Sequence, residues 1–274
     1  MTPLVIERLT PCDVSQNVAL SRSVGWKDVE SEWRVLHEAA EVRGVRHAGR
    51  LLAQGALGDY GSAASLSKMI VAAELQRQGL GARLLDGLLE AADTRGTPVG
   101  LCATELGRPL YESRRFAVSG ELMILLGTPE LGTRTGGAVV PLFDAEPAVE
   151  LDREFSGCDR AAMLRARFRE SIAKLRLDGD ERGFGLATLQ GEHSLVGPIL
   201  ATDEAGARKL ALGLFAAAPG PVRIDVPLEH TAFRAWLVQL GLREVSQRVE
   251  MARGAARMPW QVGQRFALAT QAWG

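Results

Sequence analysis

Apolar positions along this chain switch repeatedly between the two spacings that mark strands and helices. Between residues 79 and 94, Leu80, Leu84, Leu85, Leu88, Leu89 and Ala92 recur at helical spacing and predict an amphipathic helix with one broad buried face. Short apolar runs over residues 4–9, 65–72, 99–103 and 121–126 predict strands. Residues 42–48 and 51–57 read as a hairpin turning at Gly49-Arg50. Residues 12–40 carry one or two helices, with Trp33, Leu36 and Ala40 at helical spacing, and residues 106–114 carry another. The predicted order is strand, helices, three strands, helix, strand, helix, strand.

That pattern occurs twice. The stretch Gly81-Ala-Arg-Leu-Leu-Asp-Gly-Leu-Leu-Glu-Ala-Ala92 is echoed by Gly206-Ala-Arg-Lys-Leu-Ala-Leu-Gly-Leu-Phe-Ala-Ala217. A turn containing Gly and Pro follows each copy, then a short apolar run, 98–103 in the first and 221–226 in the second. A shared order of elements points to tandem duplication rather than a chance likeness between Ala/Leu-rich helices. We therefore expect two α/β units, over residues 1–130 and 138–256. The join over 127–137 is rich in Gly, Pro and Thr, the composition of a linker. A tail over 257–274 carries Trp260, Phe266 and Trp273 and is expected to pack back on the body, because leaving such side chains in water is costly.

Composition narrows the function classes. The chain has 274 residues, 32 basic and 33 acidic, for a net charge of −1. It lacks the basic excess of a dedicated nucleic-acid binder. No apolar run approaches the ~20 residues of a membrane-spanning helix, and residues 1–8 read as a first strand rather than a leader. Cys12, Cys102 and Cys158 stand far apart, which argues for a reducing compartment and a cytoplasmic protein rather than a disulfide framework. No His, Cys and carboxylate cluster has metal-ligand spacing, so no metal is expected.

The chemistry is concentrated in Met69-Ile-Val-Ala-Ala-Glu-Leu-Gln-Arg-Gln-Gly-Leu-Gly-Ala-Arg-Leu-Leu85, a strand, a glycine-containing loop and a helix start. Gly79 and Gly81 allow close backbone approach to a ligand. The first amides of the helix have no intrahelical partner and lie at the positive end of its dipole, so the loop is a natural anion site, suited to a pyrophosphate. A dinucleotide fingerprint would need Gly where Leu84 stands, and the phosphate-loop Gly-Lys-Ser/Thr is missing.

Gln76-x-x-Gly79-x-Gly81 resembles the Arg/Gln-x-x-Gly-x-Gly/Ala motif of the GNAT superfamily of acetyl-CoA-dependent N-acetyltransferases. The segment 102–116, with Tyr111 before Arg115-Phe116, resembles that family's later Tyr and Gly-Phe stretch, and the element order of the whole first unit is similar too. The second unit resembles the same fold more weakly, as in a tandem subgroup whose C-terminal copy is degenerate. The resemblance implies an α/β (α+β) fold of two GNAT-like domains, each a mixed, mostly antiparallel twisted sheet flanked by helices. It implies that Met69, Ile70 and Val71 hold the pantetheine arm and acetyl carbonyl. It implies that backbone amides of Gln76, Arg77, Gln78, Gly79, Leu80, Gly81 and Ala82 cradle the pyrophosphate, with Arg77 adding charge or simply solvated. Tyr111 would protonate the leaving thiolate, and an amide near Val71 would stabilise the oxyanion. Three positions depart from the family pattern: Ala73 replaces a Pro, Gln76 the commoner Arg, and Arg115 the Gly of Gly-Phe.

No residue stands out as general base. Glu74, Asp59 and Glu105 are possible, His37 and His47 read as structural or surface groups, and Cys102 as a small buried hydrophobe. Aligned on the repeat, Gln76, Gln78 and Gly79 fall on Ala201, Asp203 and Glu204, and Tyr111 falls on Leu237. Two carboxylates at a helix start would repel a pyrophosphate, so a single cofactor site, in the first unit, is expected. The second unit would then either wall the acceptor pocket or stand in for a dimer partner, leaving monomer and homodimer both open. Asp152, Asp159 and Arg160 either face the acceptor or cap a helix through Asp159. The expected reaction moves an acetyl group from acetyl-CoA directly to an amine, a small molecule by default. The alternatives are a non-catalytic acyl-CoA-binding or sensing protein and an enzyme using a longer acyl-CoA.

Overall fold

The computed structural model describes residues 5–133 and 139–273. The chain builds β1 (Ile6–Arg8), α1 (Val14–Ser23), α2 (Glu30–Ala39), β2 (Glu41–His47), β3 (Arg50–Asp59), β4 (Ala64–Val71), α3 (Leu80–Arg95), β5 (Val99–Ala103), α4 (Arg108–Glu112) and β6 (Ala117–Gly127). It then repeats the series as β7 (Val139–Pro141), α5 (Glu146–Ser156), α6 (Ala161–Glu170), β8 (Ser171–Leu177), β9 (Gly183–Gln190), β10 (His193–Ala201), α7 (Glu204–Ala217), β11 (Val222–Pro227), α8 (Thr231–Gln239) and β12 (Arg243–Arg253), and ends with β13 (Arg265–Ala267). The linker expected over 127–137 lies partly outside the described residues.

Local chemistry explains the boundaries. The hairpin turns at Ala48-Gly49, both at positive φ, one residue before the expected point. Helix α3 stops at Gly96, whose φ of 65° provides the left-handed cap that accepts no Cβ cheaply. Helix α4 is followed by Arg115 at φ 66°, so an arginine adopts the left-handed conformation usually given to glycine.

All strands join one sheet in the order β1-β2-β3-β4-β5-β12-β6-β11-β10-β9-β8-β7, with β13 added to β10. Among the described residues, only β4–β5 and β10–β11 run parallel. The expectation that residues 121–126 close the first unit's own sheet does not hold. The last strand of each repeat has crossed over: β12 pairs with β5, β6 pairs with β11, and the two exchanged strands pair with each other. The exchange converts two open edges into one continuous ladder, which leaves no unpaired strand at the centre.

The layers on either face follow from the apolar stripes. Leu84, Leu85, Leu88 and Leu89 of α3 pack with Leu66, Leu101 and Met251 of the sheet. Leu210, Leu214 and Phe215 of α7 pack with Val196, Ile199 and Ile224 in the second repeat. A core shared by both repeats joins Trp33 and Leu36 of α2, Met163 and Leu164 of α6, and Trp273 of the tail. Trp260, Phe266 and Trp273 are all buried. Among the described residues no helix is long and apolar enough to cross a membrane.

Candidate active site

The parallel pairing of β4 with β5 ends at Leu66 and Leu101. Beyond that point β4 carries a bulge around Lys68, which sits at φ 53°, and stays paired only with β3. A bulge bends its strand away from the neighbour, so a cleft opens between β4 and β5. The cleft is a cavity of about 400 Å³ that reaches the start of α3. Met69, Ile70, Val71, Gln76, Arg77, Gly79, Gly81, Ala82 and Tyr111 line it. Gln78 and Leu80 do not: Gln78 Nε2 donates to the Glu74 carbonyl at 2.9 Å, and the Leu80 side chain is in the core.

No side chain caps the start of α3. Gly79 holds φ 81° there, and a Cβ at this position would meet nothing within 4 Å, so the glycine is required by backbone conformation rather than by space. Gln76 Nε2 donates to the Val71 carbonyl at 3.0 Å and pins the loop to the end of β4. The result is a bare helix terminus with free amides facing a cavity. Tyr111, which also lines this cavity, is 8% exposed and stacks edge-on against Phe116. Burial pushes its phenol pKa up, with a further rise from nearby Cys102, so the hydroxyl keeps its proton across the physiological range.

A second cavity, of about 430 Å³, meets the first at Trp26, Ser67, Lys68, Cys102 and Thr104. Its walls come from both repeats: Asp28 and Glu32 from the first, Gln190, His193 and Arg223 from the second, Arg248 from the exchanged β12, and Thr270 and Gln271 from the tail. Lys68 Nζ lies 2.7 Å from Asp28 Oδ1 and 3.2 Å from Glu32 Oε2. Burial opposes the Lys68 ammonium, yet Glu32 and Asp28 hold its pKa above the ordinary value. Burial would likewise raise Glu32, but Lys68 and then Arg167 hold it below the usual carboxylate range. Among the described residues, no group of His, Cys, Asp and Glu is arranged to hold a metal ion.

Two family models match, each described as an acetyltransferase (GNAT) domain: one over residues 26–125 and the other over 148–267. The chain belongs to the GNAT acetyltransferases. It carries two such domains in tandem. It is 28% identical over 276 residues to the uncharacterized N-acetyltransferase YitH of Bacillus subtilis (strain 168), covering 95% of each chain. A candidate acetyltransferase of Pyrococcus horikoshii shares the fold with a TM-score of 0.85 at 21% identity, over 100% of this chain and 97% of that one. A tandem GNAT protein from the clavulanic acid biosynthesis pathway aligns with a TM-score of 0.67 at 16% identity, over 92% of this chain and 98% of that one.

Within this GNAT pair the residues weighed as bases lie away from the junction of the cavities. Asp59 pairs with Arg95, Glu74 with Arg50, and Glu105 lines neither cavity. His37 Nε2 hydrogen-bonds Asn17 Oδ1 at 2.9 Å, and His47 lines neither cavity. Cys102 is half-buried and borders both cavities rather than being sealed in the core; burial raises its thiol pKa, with Glu250 adding to the rise. Asp152 and Arg160 form a buried ion pair, Nε to Oδ2 at 3.0 Å, and touch neither cavity. Asp159 accepts from the Ala161 amide at 3.1 Å, so it caps α6 from one residue before the helix boundary position.

Lys68, Asp28, Glu32, Arg223 and Arg248 are the site residues that sequence reasoning missed. Lys68 is one residue before the highlighted Met69-Ile70-Val71, and its positive φ was invisible in the pattern. The others come from four places in the chain, the α1–α2 connection, α2, β11 and β12, so no single spacing rule joins them.

Proposed function

We propose that this chain transfers an acetyl group from acetyl-CoA directly to a primary amine, using one cofactor site in the first repeat. Acetyl-CoA supplies the acyl group as a thioester: a C–N bond forms to the neutral amine, the C–S bond breaks, and amine plus thioester become amide plus thiol. In this reading the amides of residues 76–82 hold the pyrophosphate, with Leu80 and Gln78 contributing backbone only. The free edge of β4 over Met69, Ile70 and Val71 holds the pantetheine arm, and an amide near Val71 stabilises charge on the carbonyl oxygen. Tyr111 donates its phenolic proton to the departing sulfur and recovers one from the amine nitrogen through solvent. The units over 1–130 and 138–256 divide the work: the first binds acetyl-CoA, the second is degenerate as a cofactor domain and walls the acceptor pocket, and the 257–274 tail closes that wall.

The observation that carries this reading is the meeting of two cavities at Ser67, Lys68, Cys102 and Thr104, with Tyr111 on the wall of the first. Titration calorimetry with acetyl-CoA, followed by a thiol assay for CoA release against a panel of amines, tests it. One molecule bound per chain and amine-dependent thiol release are expected. Binding without release for any amine would leave a non-catalytic acyl-CoA-binding protein, and no binding would remove the functional reading.

A further inference from the structure

We propose that the second cavity selects a zwitterionic acceptor, a small primary amine that also carries a carboxylate, of the free amino-acid class. This rests on the acyltransferase reading above and narrows its acceptor. The cavity lining carries charges of both signs. Asp28 and Glu32 line the cavity beside Lys68, which borders the cofactor cleft; Arg167, outside the cavity, and Arg223 also act on Glu32, whereas Asp28 has Lys68 as its ion-pair partner. That wall suits an ammonium group, and it lies where the reacting nitrogen has to be placed.

Arginines supply the opposite charge. Arg223 uses Nε and Nη2 in a bidentate pair with Asp225, at 2.8 and 2.7 Å, which leaves Nη1 without a protein partner among the described residues. Arg248 has no carboxylate partner among the described residues; its Nη1 donates to Ser246 Oγ and, at 2.8 Å, to the Gln247 carbonyl. A cation lined into a cavity and held only by neutral groups is a site for an anion, and guanidinium matches a carboxylate in shape as well as charge. His193 adds an independent sign. Its Nε2 is buried and has no hydrogen-bond partner among the described residues, while the residue lines the same cavity. A buried polar atom is normally satisfied, and a bound polar ligand would satisfy this one.

A polyamine would find the two carboxylates but also the Arg248 guanidinium, which no carboxylate neutralises among the described residues, so its second ammonium is disfavoured. A cavity of about 430 Å³ shared between repeats and lined also by Thr270, Gln271 and Ala272 of the tail has the size for a free small molecule.

The test compares the standard amino acids with their decarboxylated amines, for example phenylalanine with phenylethylamine and lysine with cadaverine. Acetyl-CoA affinity is measured separately by calorimetry, so failure of the cofactor reading and failure of this one are distinguishable. At least one amino acid should be acetylated with kcat/KM roughly 10- to 100-fold above its decarboxylated partner, the worth of hydrogen bonds to a charged group. Arg248→Gln should erase most of that ratio by raising KM for the amino acid alone, and Arg248→Lys should restore part of it, with acetyl-CoA affinity unchanged in both. Amines acetylated as well as or better than their parent amino acids overturn the proposal. So does intact acetyl-CoA binding with no amino acid accepted. The wild-type ratio decides the matter even if the Arg248 variants fold poorly.

Discussion

The two repeats open the same kind of cleft and fill it differently. In the first, β4 leaves β5 after Leu66, and the gap is a cavity. In the second, β10 leaves β11 after Leu195, and the tail strand β13 occupies the gap, pairing with Ile199 and Leu200. The Leu268 amide then donates to the Asp225 carbonyl at 3.0 Å, so the tail bonds to both diverging strands. Residues 72–79 form the loop between β4 and α3, whereas only Thr202 and Asp203 separate β10 from α7. Helix α3 begins uncapped at Gly79; helix α7 is capped by Asp203, whose Oδ1 accepts from the Gly206 amide at 2.8 Å. The second cleft has its donors satisfied from within and its free strand edges covered. The comparison teaches that one duplicated fold can keep its cleft open in one copy and close it in the other through a shorter loop, a helix cap and an added strand.

Substituting the loop breaks the comparison most directly. Gly79→Glu places a carboxylate and a left-handed strain at the bare helix start, and acetyl-CoA binding should fall below detection by calorimetry. Unchanged affinity would mean that the cradle lies elsewhere. Tyr111→Phe should lower kcat by about 100-fold, the lower range for general acid catalysis, with acetyl-CoA affinity preserved. Equal turnover would remove the phenol from the chemistry.

Smaller effects probe the filled cleft. A Cβ at Gly197 would sit 1.8 Å from the Leu268 carbonyl oxygen, so Gly197→Ala must push the tail away from β10. A loss of about 1–3 kcal/mol in denaturant unfolding is expected, as for overpacking. Acetyl-CoA stoichiometry should stay at one per chain; a second site appearing in this variant would mean that the tail alone keeps the second cleft shut. Arg115→Gly should raise stability by up to about 1 kcal/mol, because the left-handed position costs a side chain that much. A decrease in melting temperature would show that the arginine side chain matters more than its backbone strain.

Several of these features were legible beforehand. The leucine spacing marked α3 within a residue of its start and end, the repeat was visible in Gly81–Ala92 and Gly206–Ala217, and the carboxylates at Asp203 and Glu204 already argued against a second anion site. Local interactions set each of these, so the local sequence carried them. A family motif is what singled out Tyr111 and Gly79, which line one cavity, and the turn at Arg115 formed without the usual glycine.

What the sequence by itself determined is the element content, the duplication and the glycine-bearing loop at the start of α3, since periodicity, caps and glycine conformation act over a few residues. Only the tertiary structure decided that β6 and β12 change places, that the tail fills the second cleft, and that Asp28, Glu32, Lys68, Arg223 and Arg248 share one cavity. Those outcomes depend on which strand edge finds which partner across more than a hundred residues of chain. Alternation along a strand states which face is buried, but it does not state whose edge lies beside it.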